Sequence, residues 1–163
     1  MSSSTLAAHV KDPSWVLDPI TEISGVRLAL IISSDGILMG ASAPAGTTGL
    51  DDRDRRDMID RVCAAVSALH GASRAAAVEA LGADTRTPVS TITVQLDAEP
   101  GAQDGTSVGT LMVMPVGGGS NANIAAAFGA MTPMGVIAQT MATQAKKLGE
   151  VMSVSSRTSG PTS

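Results

Sequence analysis

The sequence predicts an α/β (α+β) domain, a five-stranded, mainly antiparallel sheet with helices on its faces, in the order α-β-β-α-β-β-β-α. Three observations predict it. Two apolar runs, Val26–Ser33 and Ile37–Ser42, meet at Asp35-Gly36. Such a pair reaches positive φ cheaply and closes a tight hairpin. Residues 51–81 carry apolar side chains at spacings of three and four, the period of a helix. Val89–Leu96 alternates strictly and is rich in Val and Thr, the pattern of a half-buried strand.

The elements follow in order. Residues 1–13 are expected to be a disordered tail, small and polar without a pattern. Asp12-Pro13-Ser14-Trp15 begins a helix, with Asp or Ser as cap and Pro in its first turn. Pro19 disfavours a helical Asp18. Either the helix kinks there, or Asp18 caps a second short helix. Gly25 ends the segment. The first hairpin strand is apolar on both faces, so it belongs inside the sheet with both sides covered. Pro44–Gly49 is a loop by composition.

The long helix starts at Asp51 or Asp52, where carboxylates suit the positive end of the macrodipole. Met58, Ile59, Val62, Cys63, Val66 and Leu69 form its apolar stripe, and Ala72–Ala80 is nearly all alanine. That surface could cover more than the domain's own sheet. After Val89–Leu96, residues 97–105 read as a polar hairpin loop and Gly109–Val116 as a strand. Gly117–Asn121 is a turn, and Asn123–Phe128 is a strand or a helical turn. A last helix runs from about Pro133 to Met152, capped by Thr132, with Met134, Ile137, Met141, Ala145 and Leu148 on its apolar face. Residues 14–152 are thus one domain, and 153–163 a second disordered tail.

Composition excludes several functions. The net charge is −4, with one Trp, one Phe and no Tyr. Neither a basic stripe nor an aromatic platform for nucleic acid is present. The nine Met suit a core without large rings, and surfaces that repack around partners. No run of about 18 apolar residues predicts a transmembrane helix, and no secretory signal is apparent. A cytoplasmic protein is expected, with recruitment to a membrane left to a partner.

Candidate chemistry is sparse. Cys63 is a lone cysteine in an apolar helical context. It reads as a small buried hydrophobe, and His70, seven residues away, is too distant to activate it. Gly117-Gly118-Gly119-Ser120 lacks the Lys that a phosphate loop requires. Residues 51–61 hold five Asp and four Arg. Interleaved arginines neutralise any cation site, leaving either a solvated charged face or a docking patch. No metal, cofactor or catalytic residue is expected, and the chain reads as not an enzyme.

Ser14-Trp15-Val16-Leu17-Asp18, the run Gly25-Val26-Arg27-Leu28-Ala29-Leu30-Ile31-Ile32-Ser33-Ser34-Asp35-Gly36 through Ser42, and Gly135-Val136-Ile137-Ala138-Gln139 to Glu150 resemble the roadblock/LC7 family. The likeness is strongest to its actinobacterial, conservon-encoded branch. It implies a homodimeric, non-enzymatic scaffold or regulator of a small Ras-like GTPase, working with a sensor-kinase-like membrane protein. It places the middle helix at residues 53–81 and the joining strand at Val89–Leu96. The dimer seam is then expected at Met58, Ile59, Val62, Val66 and Leu69 with Thr91 and Thr93, and partner contacts at Arg53, Arg56, Asp57 and Asp60. A small-ligand sensor domain is the alternative.

Overall fold

The computed structural model describes residues 12–45, 49–98, 108–117 and 121–158. The tail 1–11, the course of the 97–108 loop beyond its ends, most of the glycine turn and residues 159–163 lie outside them.

The segment before the hairpin is in two pieces. A 3-10 turn, Pro13–Leu17, is capped by Asp12, whose carboxylate accepts from the Ser14 amide at 3.0 Å. A single helical turn, α1 (Asp18–Thr21), follows with Pro19 in its first turn. Asp18 does not cap it by its side chain, because the chain is already helical at Leu17. Gly25 then reverses the chain at φ +93°. A Cβ there would both occupy the left-handed region and run into Thr132 Oγ1. Gly25→Ala is therefore expected to lower unfolding stability by about 1–3 kcal/mol, measured by urea denaturation.

Strands β1 (Val26–Ser33) and β2 (Leu38–Ser42) form the hairpin. Only Gly36 has positive φ, +87°, whereas Asp35 does not. The loop is three residues long: the Gly36 amide donates to Ser33 O at 3.0 Å and the Ser33 amide to Ile37 O at 2.9 Å. Such a loop pairs one turn with a single left-handed glycine, so Asp35 need not share the positive φ. The register of β2 against β1 slips by one residue at Met39.

After β2 comes α2 (Asp52–Leu81), then β3 (Ile92–Leu96), β4 (Gly109–Pro115), β5 (Ala122–Gly129) and α3 (Met134–Thr158). All four strand pairings are antiparallel, in the order β2-β1-β5-β4-β3. The connection through α2 carries the chain from one sheet edge to the other, leaving β2 and β3 as edges. Residues 122–129 are a strand, the central one, buried along most of its length. Val89–Thr91 precede β3 and are not part of it.

Side-chain alternation divides the core in two. Ala29 and Ile31 of β1 join Met112, Ile124, Ala126 and Phe128 beneath Ile137, Met141 and Leu148 of α3. The 3-10 turn and α1 add Val16, Leu17 and Ile20 to this side. Leu28, Leu30 and Ile32 face the other way, with Val113 and Ala125, beneath Ile59, Cys63 and Val66 of α2. β1 is thus covered on both sides. On α3, Met134 is exposed instead of joining the apolar face. The helix also continues to Thr158, six residues past its expected end at Met152.

Candidate functional site

The long helix and the sheet beside it leave apolar side chains uncovered in one copy: Met58, Val62 and Leu69 are half-buried, and Leu81 and Leu96 are exposed. α2 begins where the Asp51 carboxylate accepts from the amides of Arg53 (3.0 Å) and Asp54 (2.8 Å). Asp52 and Asp54 sit in its first turn, at the positive end of its dipole. It ends at Gly82, left-handed at φ +61°, where the Gly82 and Ala83 amides bond back to Glu79 O and Val78 O. Thirty residues make it about 45 Å long.

One copy of the chain covers only part of that length. Ile59, Cys63 and Val66 are buried against the sheet, and no residue of the helix after Val66 is. Ile59 and Val66 were expected at a seam, but they are core residues, because the one-turn spacing aims them with Cys63 straight into the sheet. Met58, Val62 and Leu69 lie on the flank and are half-buried. Beyond them the alanine-rich half stands exposed, ending in Leu81 with 79% of its surface open.

Met58 and Val62 form one wall of an open groove of about 350 Å³; Leu28, Leu30, Leu111 and Ala125 form its floor. The groove continues across β4 to β3 in a second hollow of about 250 Å³, over Val94, Leu96 and Leu111. Arg27 and Ala127 line both. Among the described residues β3 pairs only with β4, so its outer side is an unpaired edge. Leu96 at its end is 59% exposed.

Of the two threonines expected at the seam, Thr91 precedes the strand and lines a cleft with Ala77, Val78 and Leu81. Thr93 pairs with Met112, whose side chain belongs to the opposite core, so it does not share the groove. Val94, Leu96 and Leu111 were missed. The alternation of the strand contains the signal: Ile92, Val94 and Leu96 are its apolar side. Arg53, Arg56, Asp57 and Asp60 are all exposed on α2. Among the described residues no ion pair links the charged groups of 51–61. Arg56 Nε instead donates to Asp52 O at 3.1 Å.

Cys63 is buried, and burial, helped by the nearby Asp60 carboxylate, pushes its thiol pKa up. The thiolate is the reactive form. Maleimide labelling of Cys63 at pH 8 is expected to be about tenfold slower or more in the folded chain than in urea. Among the described residues no cluster of three or more His, Cys, Asp or Glu could hold a metal ion.

The antiparallel order β2-β1-β5-β4-β3 with a helical layer on each face matches a known architecture. The crystal structure of a roadblock/LC7 domain from Streptomyces avermitilis superposes with a TM-score of 0.65 at 22% identity, covering 86% of this chain and 98% of that one. The chain has the roadblock/LC7 fold. The gliding protein MglB from Thermus thermophilus is similar at a TM-score of 0.65 and 16% identity, with 93% of each chain covered. An MglB with a tetrameric arrangement is similar at a TM-score of 0.65 and 17% identity, covering 93% of this chain and 92% of that one. No protein-family model and no curated protein sequence matches the chain. On this fold the groove lies over the inner strands β1, β5 and β4 on the α2 face of the sheet and runs on to β3 at the edge. No helix among the described residues is long and apolar enough to cross a membrane.

Proposed function

We propose that the chain is a non-enzymatic, homodimeric scaffold that regulates a small Ras-like GTPase in a signalling complex. The observation that carries this reading is the incomplete cover of α2: Met58, Val62 and Leu69 on its flank are only half-buried in one copy, and across the groove Val94 and Leu111 are half-buried and Leu96 exposed. The α2 flank and β3 of a second copy would complete that surface, with Met58, Val62 and Leu69 at the seam and β3 edges adjoining. Ile59 and Val66 support the seam from beneath. The resemblance of the sequence supplies the GTPase and a sensor-kinase-like membrane protein as partners. Arg53, Arg56, Asp57 and Asp60, exposed on the first half of α2, are the contacts offered to the GTPase.

The test is affinity capture from the native cell with GTP- and GDP-loaded conditions compared. A Ras-like GTPase retained preferentially in one nucleotide state, and lost with Arg53→Glu/Arg56→Glu, supports the reading. Equal recovery from wild type and variant contradicts it. Incubated alone with GTP, the protein is expected to release no phosphate. One observation favours a small-ligand sensor instead: the groove volume of about 350 Å³ falls within the range of ligand sites. A metabolite that raises the melting temperature at millimolar concentration would select that reading.

A further inference from the structure

A second hollow, away from the groove, carries a different chemistry. It opens between α2, the connector after it and the hairpin end of the sheet, with a volume of about 230 Å³. His70, Arg74 and Arg86 line it together with Ser34, Asn121 and Asn123, and among the described residues no carboxylate lines it.

Arg74 is fixed in place. Its Nε donates to Thr87 O at 3.2 Å and its second terminal nitrogen to Thr85 O. Those partners are neutral carbonyls, so among the described residues the guanidinium charge meets no counter-charge, and a guanidinium has five N–H donors. Arg86 is tied to Asp84, Nε to Oδ1 at 3.4 Å, but that pair is on the surface and weak. Asn123 supplies the independent observation. It sits in the central strand with only 4% of its surface exposed, and its side-chain amide makes no hydrogen bond to any described residue. Its polar atoms are not sealed off, since no fully buried side-chain polar atom among the described residues lacks a partner. They therefore open onto the hollow that Asn123 lines. A buried amide is normally paired with protein, water or ligand.

We propose that this hollow binds a phosphate group, held by Arg74, Arg86 and His70 and by the Asn123 amide. The chemistry fits: a planar guanidinium matches phosphate oxygens bidentately, and an uncompensated cation beside an unpaired amide donor favours a tetrahedral oxyanion. The site is independent of the dimer and GTPase reading and stands or falls separately.

The experiment is calorimetric titration of the full chain with inorganic phosphate, against chloride at matched ionic strength. Saturable binding is expected, with phosphate also raising the melting temperature. Arg74→Gln and His70→Gln/Arg86→Gln are each expected to weaken binding about tenfold or more. The second variant changes only residues that hold no other element in place, so it remains informative if Arg74→Gln fails to fold. Heats no larger than those with chloride would overturn the proposal. So would wild-type affinity in His70→Gln/Arg86→Gln. O-phosphoserine compared with inorganic phosphate separates the sources. Tighter binding of the former assigns the site to a phosphorylated side chain, and tighter binding of the latter to the free anion.

Discussion

Val62→Glu is expected to give a folded monomer. Val62 lies on the flank of α2, half-buried at the wall of the groove, and its substitution opens no hole in the core. In one copy a glutamate there can turn its carboxylate to water. In the proposed dimer it would be trapped against the apolar flank and floor, and an unpaired buried charge costs several kcal/mol. A penalty of about 3 kcal/mol weakens self-association roughly 100-fold. Sedimentation velocity across a concentration series reads this directly, with far-UV circular dichroism confirming the fold. Val66→Glu provides the contrast. Val66 is 1% exposed within one copy, so that variant is expected to lose its cooperative melting altogether. If Val62→Glu associates as strongly as wild type, α2 is not at the seam.

Ile124→Ala is expected to cost about 2–5 kcal/mol of unfolding free energy. Ile124 lies in the central strand, fully buried, opposite Ile31 on one neighbour and Met114 on the other. Pinned by strands on both sides, the backbone can collapse little into the space left. Ile124→Val, which removes one methylene, is expected to cost only about 0.5–1.5 kcal/mol. Val154→Ala, at an exposed position on α3, should stay within about 0.5 kcal/mol of wild type. Urea denaturation with a shared m-value measures all three. Equal losses at positions 124 and 154 would contradict the central placement of β5.

The parts of the fold legible in the sequence were those where local preference and burial agree. β1 shows two-sided apolarity because it has helices on both faces, and α2 shows its period because one stripe meets the sheet. The last helix was legible over most of its length for the same reason. β5 was ambiguous because Ala125, Ala126 and Ala127 favour a helix locally. Its pairing with β1 on one side and β4 on the other overrides that preference. The Ser-rich end of α3, with Val154 alone apolar past Met152, gave no helical period, yet the helix continues, because propagation adds one backbone bond per residue once a helix is packed. The candidate surface was half legible. The apolar stripe of α2 was plain, but one period cannot say which members face the sheet. Ile59 and Val66 fell inward while Met58 and Val62 stayed on the flank. The hollow around Arg74 was not legible at all, since His70, Arg86 and Asn123 meet only through the return of the chain after α2.

The most direct test of the central claim is the mass of the wild-type chain in solution by light scattering at micromolar concentration. One chain weighs 16.3 kDa. Completion of the α2 flank and β3 edge by a second copy predicts twice that mass, or a multiple of the pair. A single species of 16.3 kDa would contradict it.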